Sequence, residues 1–90
     1  MKQTDFFKCF SDPIRLKIIK VIIDRKSVCV CEFAELLNIT QPKISRHLAI
    51  LRNIKILLDK REGQWIYYSL NSDIPDWAKH ILEVIKNNPA

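Results

Sequence analysis

Apolar residues recur along the chain at two different periods, and the changes of period divide it into six elements. Phe6, Phe7 and Phe10 stand at helical spacing and predict a short apolar-faced helix over 3–10. Asp12-Pro13 then reads as a fresh helix start. The Asp carboxylate accepts from an otherwise unpaired backbone N–H, and the proline lacks an N–H where none is needed. The helix it opens, 13–24, carries Ile14, Leu16, Ile18, Ile19, Ile22 and Ile23 on a face broad enough to make it central. So many β-branched residues lower its intrinsic propensity, so packing must hold it. Val30, Phe33, Ala34 and Leu37 give 28–37 the same period, a second core helix. Asn38-Ile39-Thr40 interrupts it, and Thr40 is placed to cap a third helix over about 41–53, with Pro42 tolerated in its first turn. Two short helices joined by such a break make a helix-turn-helix.

Over 57–70 the period shortens to two. The runs 57–61 and 64–70 flank Glu62-Gly63, which puts the chain's single glycine where a hairpin turn needs a positive φ. Ile66, Tyr68 and Leu70 alternate toward the core, leaving Lys60, Arg61, Gln64 and Tyr67 at or near the exposed tip. Ile74-Pro75 opens a last helix, 75–87, with Trp77, Ile81, Leu82, Val84 and Ile85 in a broad stripe. Neither a repeat nor a linker breaks the run, so residues 1–90 read as one domain, mainly α with a two-stranded β-hairpin.

Size adds an association argument. A chain of this length buries roughly 60–68% of the surface its unfolded form exposes. The apolar faces of the terminal helices, with Phe6, Phe7 and Phe10 on one and Trp77, Ile81, Leu82 and Ile85 on the other, exceed what so small a core uses. The expectation is a homodimer with helices 3–10 and 75–87 at its interface.

The charge is unevenly spread. Fifteen Lys and Arg against ten Asp and Glu leave +5, and residues 41–70 hold six basic and two acidic side chains. A local cationic excess is the footprint of a protein that approaches a polyanion, or else a solvated face. The third helix decides between them. At 100° per residue Ile44, Leu48 and Leu51 share one side, while Pro42, Ser45, Arg46 and Ala49 lie opposite, a small, polar and cationic surface suited to a DNA groove. His47 falls at the edge of the apolar stripe, as a packed, hydrogen-bonded histidine or a base contact. A hairpin with a basic tip directly after such a helix reads as a wing that touches the DNA backbone. The expected architecture is a dimeric winged helix-turn-helix that binds double-stranded DNA.

No apolar stretch is long enough for a signal peptide or a membrane span, which predicts a cytoplasmic protein without a membrane partner. There the three cysteines are reduced thiols rather than a disulfide framework. Cys29-Val30-Cys31 is not a CxxC spacing. On a continuous helix the two thiols lie 200° apart and share an ion only if the helix unwinds locally. A soft thiophilic ligand would thus distort the helix that abuts the DNA reader. Arg25 and Lys26 are near the thiols, yet there is no acid/base constellation or Gly-rich loop around them, so an enzyme is not expected.

The segments FSDPIRLKII, CVCE, QPKISRHLAILR, the winged hairpin and IPDWAKHI resemble the ArsR/SmtB family of metal-sensing repressors over essentially the whole chain, and most closely its arsenite-responsive branch. The resemblance implies a homodimeric repressor that leaves its operator when As(III) or Sb(III), the inducer, binds cysteine thiolates, with no organic cofactor. Carried over by position, Cys29 and Cys31 match the inducer ligands. Gln41, Pro42, Lys43, Ser45, Arg46 and His47 lie in the DNA-reading helix, and Lys60, Arg61 and Gln64 match the wing. In the branch it most resembles, a third cysteine follows three residues after the second, and here that position is Ala34. Two-coordinate capture, an exogenous thiol or Cys9 are the completions open to it, and a buried apolar role is the other reading of Cys9. A Cd(II), Pb(II) or Zn(II) sensor, or a redox-responsive repressor of the same fold, is the alternative. For zinc the last helix offers only Asp76, His80 and Glu83, residues that a solvated face also explains.

Overall fold

A computed structural model describes residues 1–88 of the chain. The elements run α1 (Gln3–Cys9), α2 (Pro13–Arg25), β1 (Ser27–Cys29), α3 (Val30–Leu37), α4 (Gln41–Asn53), β2 (Leu57–Glu62), β3 (Trp65–Leu70) and α5 (Asp76–Asn87). This is a winged helix-turn-helix. The expected helices are present, and α2 is central: Ile18, Ile19 and Ile22 are fully buried with Phe33 of α3, Ile44, Leu48 and Leu51 of α4, and Leu57 of β2.

Asp12 starts α2 as its sequence position predicts. Its Oδ1 accepts from the backbone N–H of Ile14 at 2.8 Å and of Arg15 at 3.2 Å. Burial alone would raise this carboxyl, but those two hydrogen bonds and the nearby His47 and Arg15 charges outweigh it and hold it below its ordinary 3.8. A lowered carboxylate stabilises the fold above its ordinary value and loses that contribution as the pH falls through the lowered one. Asp12→Ala is therefore expected to cost about 0.5–2 kcal/mol at neutral pH. Asp12→Ala and the parent chain should converge in thermal melts taken at progressively lower pH; a gap that persists in strong acid would contradict the assignment.

The αL conformation of Asn38 (φ 55°) ends α3, and the Ile39 N–H returns to the Ala34 carbonyl at 3.1 Å. Lys55 (φ 69°) does the same after α4, where the Ile56 N–H reaches the Leu51 carbonyl. Thr40 occupies the N-cap of α4, but its side chain makes no capping hydrogen bond, so the cap anticipated there is positional only. At the hairpin, β2 and β3 pair in register from Leu57 against Leu70 to Glu62 against Trp65. Gly63, at φ +63°, supplies the positive angle of the two-residue turn.

Two expectations about the sheet need correction. First, the sheet has three strands, ordered β1-β3-β2, because 27–29 is extended and pairs antiparallel with β3. The helix expected over 28–37 begins only at Val30. Second, Tyr67 is not at the tip. It stands opposite Cys29 on one side and Lys60 on the other, in the middle of the sheet.

The terminal helices meet within the chain. Phe6 is fully buried, with ring centroids 5.1 Å from Trp77, 4.7 Å from Phe10 and 5.6 Å from Phe7. Phe6 and Leu82, expected between subunits, thus belong to the chain's own core. Phe7 and Val84 remain exposed, beside half-buried Phe10, Trp77, Ile81 and Ile85.

Candidate nucleic-acid interface and thiol site

The amphipathic pattern of α4 divides its side chains as the spacing predicts. Ile44, Leu48 and Leu51 are fully buried, Pro42, Ser45 and Arg46 are exposed away from them, and Gln41 in the first turn and Lys43 at the flank are exposed as well. The helix thus presents a cationic, hydrogen-bonding face carried on a rigid apolar seam. His47 is half-buried, and its Nδ1 lies 3.1 Å from Nη1 of Arg15 on α2. It is a packed, hydrogen-bonded residue at the margin of that face.

The wing divides its cations between two sides. Successive strand residues face opposite ways, so Arg61 lies on the side of Asp59, whose carboxylate meets Arg52 of α4 at 3.3 Å. That is the side on which α4 sits. Lys60 points the other way and is partly neutralised by Glu62 at 3.5 Å. Gln64 is exposed in the turn. Of the three wing residues, Arg61 is thus the one on the side of α4.

The thiol site follows from the shortened α3. Cys29 ends β1 and is the extended N-cap of α3 (φ −87°, ψ 162°), while Cys31 sits in the first helical turn. Because Cys29 is not helical, the 200° separation does not apply, and the two side chains come together without any unwinding. The Cys31 side chain lies close enough to Cys29 to act on its thiol. Cys29 also fills the place of Ser or Thr in a capping box. Its sulfur faces the Glu32 N–H, and Glu32 Oε1 accepts from the Cys29 N–H at 3.2 Å. Burial first, and then the Cys31 side chain, push the Cys29 thiol above its ordinary value.

Around this pair the structure adds groups that sequence spacing left out. Tyr67 faces Cys29 across the β1–β3 pairing, and its phenol is raised by burial and then by negative charge at Cys29, Glu62, Glu32 and Cys31. Glu32 had a readable signal, an acid three residues after an N-cap. Tyr67 had none, since its place depends on a strand of three residues. Cys9 is elsewhere: it is buried in the apolar core, and burial raises its thiol. Ala34 is half-buried beside the core. Among the described residues no three His, Cys, Asp or Glu side chains are grouped to hold a metal ion, which includes Asp76, His80 and Glu83 on α5. The donor set that one chain brings together is the sulfur pair, which suits a soft, thiophilic ligand of low coordination number. No helix among the described residues is long and apolar enough to cross a membrane.

Comparison with known proteins agrees with this geometry. Residues 12–57 match the family described as bacterial regulatory protein, arsR family. The chain is 49% identical over 80 residues to the arsenic resistance transcriptional regulator ArsR2 of Pseudomonas putida, covering 89% of this chain and 70% of that protein. It is 43% identical over 77 residues to the arsenical resistance operon repressor of Escherichia coli K12, covering 86% of this chain and 66% of that protein. Among solved structures, reduced HlyU from Vibrio cholerae superimposes with a TM-score of 0.81 at 26% identity, over 93% of this chain and 84% of the other. The match spans about two thirds of the length of the two arsenic-resistance relatives. The central helix-turn-helix, the wing and these likenesses together place the chain in the arsR family of bacterial regulatory proteins, as a DNA-binding transcription regulator and not an enzyme.

Proposed function

We propose that the chain is a metalloid-responsive repressor: a homodimer that holds operator DNA through α4 and the wing and leaves it when As(III) or Sb(III) binds the thiolates of Cys29 and Cys31. The carrying observation is the extended Cys29 standing beside Cys31 of the first turn at the start of α3, the helix packed against α4. The arsenic-resistance relatives support the inducer class. Bridging the two sulfurs repositions the N-cap of α3 against β1. Since α3 carries α4, a ligand that fits the bridged arrangement favours a placement of α4 other than the one that fits DNA.

Proton accounting favours a metalloid over a divalent cation. Each thiol that takes a hydroxide's place on As(OH)3 gives that hydroxide its proton, and water leaves, so a thiol held above its ordinary pKa suffers no penalty. A divalent cation must instead drive both thiol protons into solvent, which burial opposes at neutral pH. Two sulfurs come from the protein. Cys9 lies in the core, so hydroxide or a small exogenous thiol supplies the third position. Exposed Phe7 and Val84, with half-buried Trp77, Ile81 and Ile85 next to them, support the dimer face on α1 and α5.

The test is operator release, using duplex DNA selected for binding from random sequence. It is titrated with arsenite, antimonite, cadmium, lead, zinc and peroxide at pH 6.5 and 8. Arsenite or antimonite should release the DNA at a midpoint that does not move with pH, and Cys9→Ser should respond as the parent does. Release by cadmium, lead or zinc alone, or by peroxide alone, would overturn the metalloid reading in favour of the corresponding alternative. In the absence of inducer, affinity should fall linearly on a logarithmic salt scale, with a slope set by the phosphates contacted.

A further inference from the structure

Arg15, in the first turn of α2, joins three parts of the fold. Its side chain is 15% exposed. Nε donates to the carbonyl oxygen of Cys9, at the end of α1, at 2.9 Å, and Nη1 stands 3.9 Å from the Asp12 carboxylate and 3.1 Å from Nδ1 of His47. The last contact settles the state of the imidazole. A guanidinium has N–H donors and no acceptor, so Nδ1 must accept and the proton of the neutral ring sits on Nε2.

Nε2 has a different outlook. Among the described residues it makes no hydrogen bond, and no buried side-chain nitrogen or oxygen there lacks a partner, so Nε2 opens to solvent. Lys43, one turn earlier, and Arg46, its neighbour, are exposed on the reading face of α4. A protonated ring would turn an N–H of Nδ1 toward the guanidinium. Burial first, and then the charges of Arg15, Lys43 and Arg46, hold His47 below the usual imidazole value, against the opposing pull of Asp12.

We propose that Arg15 is a positioning residue of the DNA-reading surface: braced on Cys9 and Asp12, it locks His47 as the Nε2–H tautomer, so that the ring offers one oriented, uncharged donor to a hydrogen-bond acceptor of the duplex. A lysine or arginine attracts any phosphate, whereas an oriented neutral donor constrains where the helix sits along the DNA. The inference rests on α4 being the reading element.

The experiment measures operator affinity from pH 8 to pH 6, at fixed salt, for the parent chain, Arg15→Gln, His47→Gln, the double variant and Arg46→Ala, with thermal melts alongside. The parent should show a flat profile. Arg15→Gln should bind roughly tenfold more weakly at pH 8, the size expected for losing one charge-assisted hydrogen bond. Its affinity should rise toward pH 6, because the unlocked His47 gains a proton and its positive charge attracts phosphate, and the double variant should lack that rise. The two losses should not add, since both variants break one contact. Nitrogen NMR of His47 in the parent chain should show the Nε2-protonated pattern, a reading that needs no variant to fold. An Nδ1-protonated pattern, additive losses, or an unaltered affinity or pH profile in Arg15→Gln would each overturn the proposal. Parent affinity in Arg46→Ala would instead remove α4 as the reader, and the proposal with it.

Discussion

Replacing Phe6 by alanine is expected to remove about 3–5 kcal/mol of folding free energy, the cost of deleting a large buried aromatic. Phe6 is the hub of the contact between the terminal helices. Its ring meets Trp77 edge-on at 5.1 Å, Phe7 edge-on at 5.6 Å and Phe10 at 4.7 Å, and it is fully buried. Such pairs contribute beyond their buried area because the positive edge of one ring meets the negative face of another. A domain of this size is stabilised by only about 5–13 kcal/mol in total, so the variant should melt more than about 12 °C below the parent. Phe7→Ala is the contrast. Phe7 is 52% exposed, so its loss should cost under about 1 kcal/mol within a single chain. Its effect should appear as a weaker dimer in sedimentation at micromolar concentration. Equal destabilisation by the two variants, with no change in association, would contradict the division of these rings between core and interface.

That division shows what the sequence leaves open. Phe6 and Phe7 are adjacent in the chain, and the helical period says that both lie near one apolar stripe without saying which ring points inward. The same limit explains the terminal stripe of α5, where Leu82 is core and Val84 surface. Long periodic runs were legible: α2 and α4 fall within one residue of their expected bounds, and the exposed side of α4 carries the anticipated polar set. β1 was not legible. Three residues are too few for alternation to register, and Val28 and Cys29 are both buried, one against the core and one against Tyr67. Arg15 and His47 are 32 positions apart and meet only because α2 crosses α4. Periodicity has no access to a contact of that kind. The missing strand mattered most at the thiols, since a helical Cys29 would point away from Cys31, whereas an extended one points toward it.

Cys29→Ser is expected to separate inducer response from both folding and DNA binding. At the N-cap of α3 the sulfur of Cys29 stands where Ser or Thr is ordinarily found, facing the Glu32 N–H, while Glu32 closes the box at 3.2 Å. A serine oxygen is the better acceptor at that place, so the variant should fold at least as well as the parent and bind operator with the same affinity. What it lacks is one of two tethered sulfurs. The second sulfur of a pair binds at the effective concentration set by its tether, so its loss should weaken capture by roughly 10²- to 10⁴-fold. Arsenite at concentrations that empty the operator of parent protein should then leave Cys29→Ser bound. Cys31→Ser should behave alike in release, because each sulfur is one end of the same bridge. If Cys29→Ser is released at the parent's arsenite midpoint, the pair is not the inducer site. If it loses operator affinity without arsenite, the expected separation of inducer response from DNA binding fails, since serine preserves the cap of α3 and should leave α4 in place.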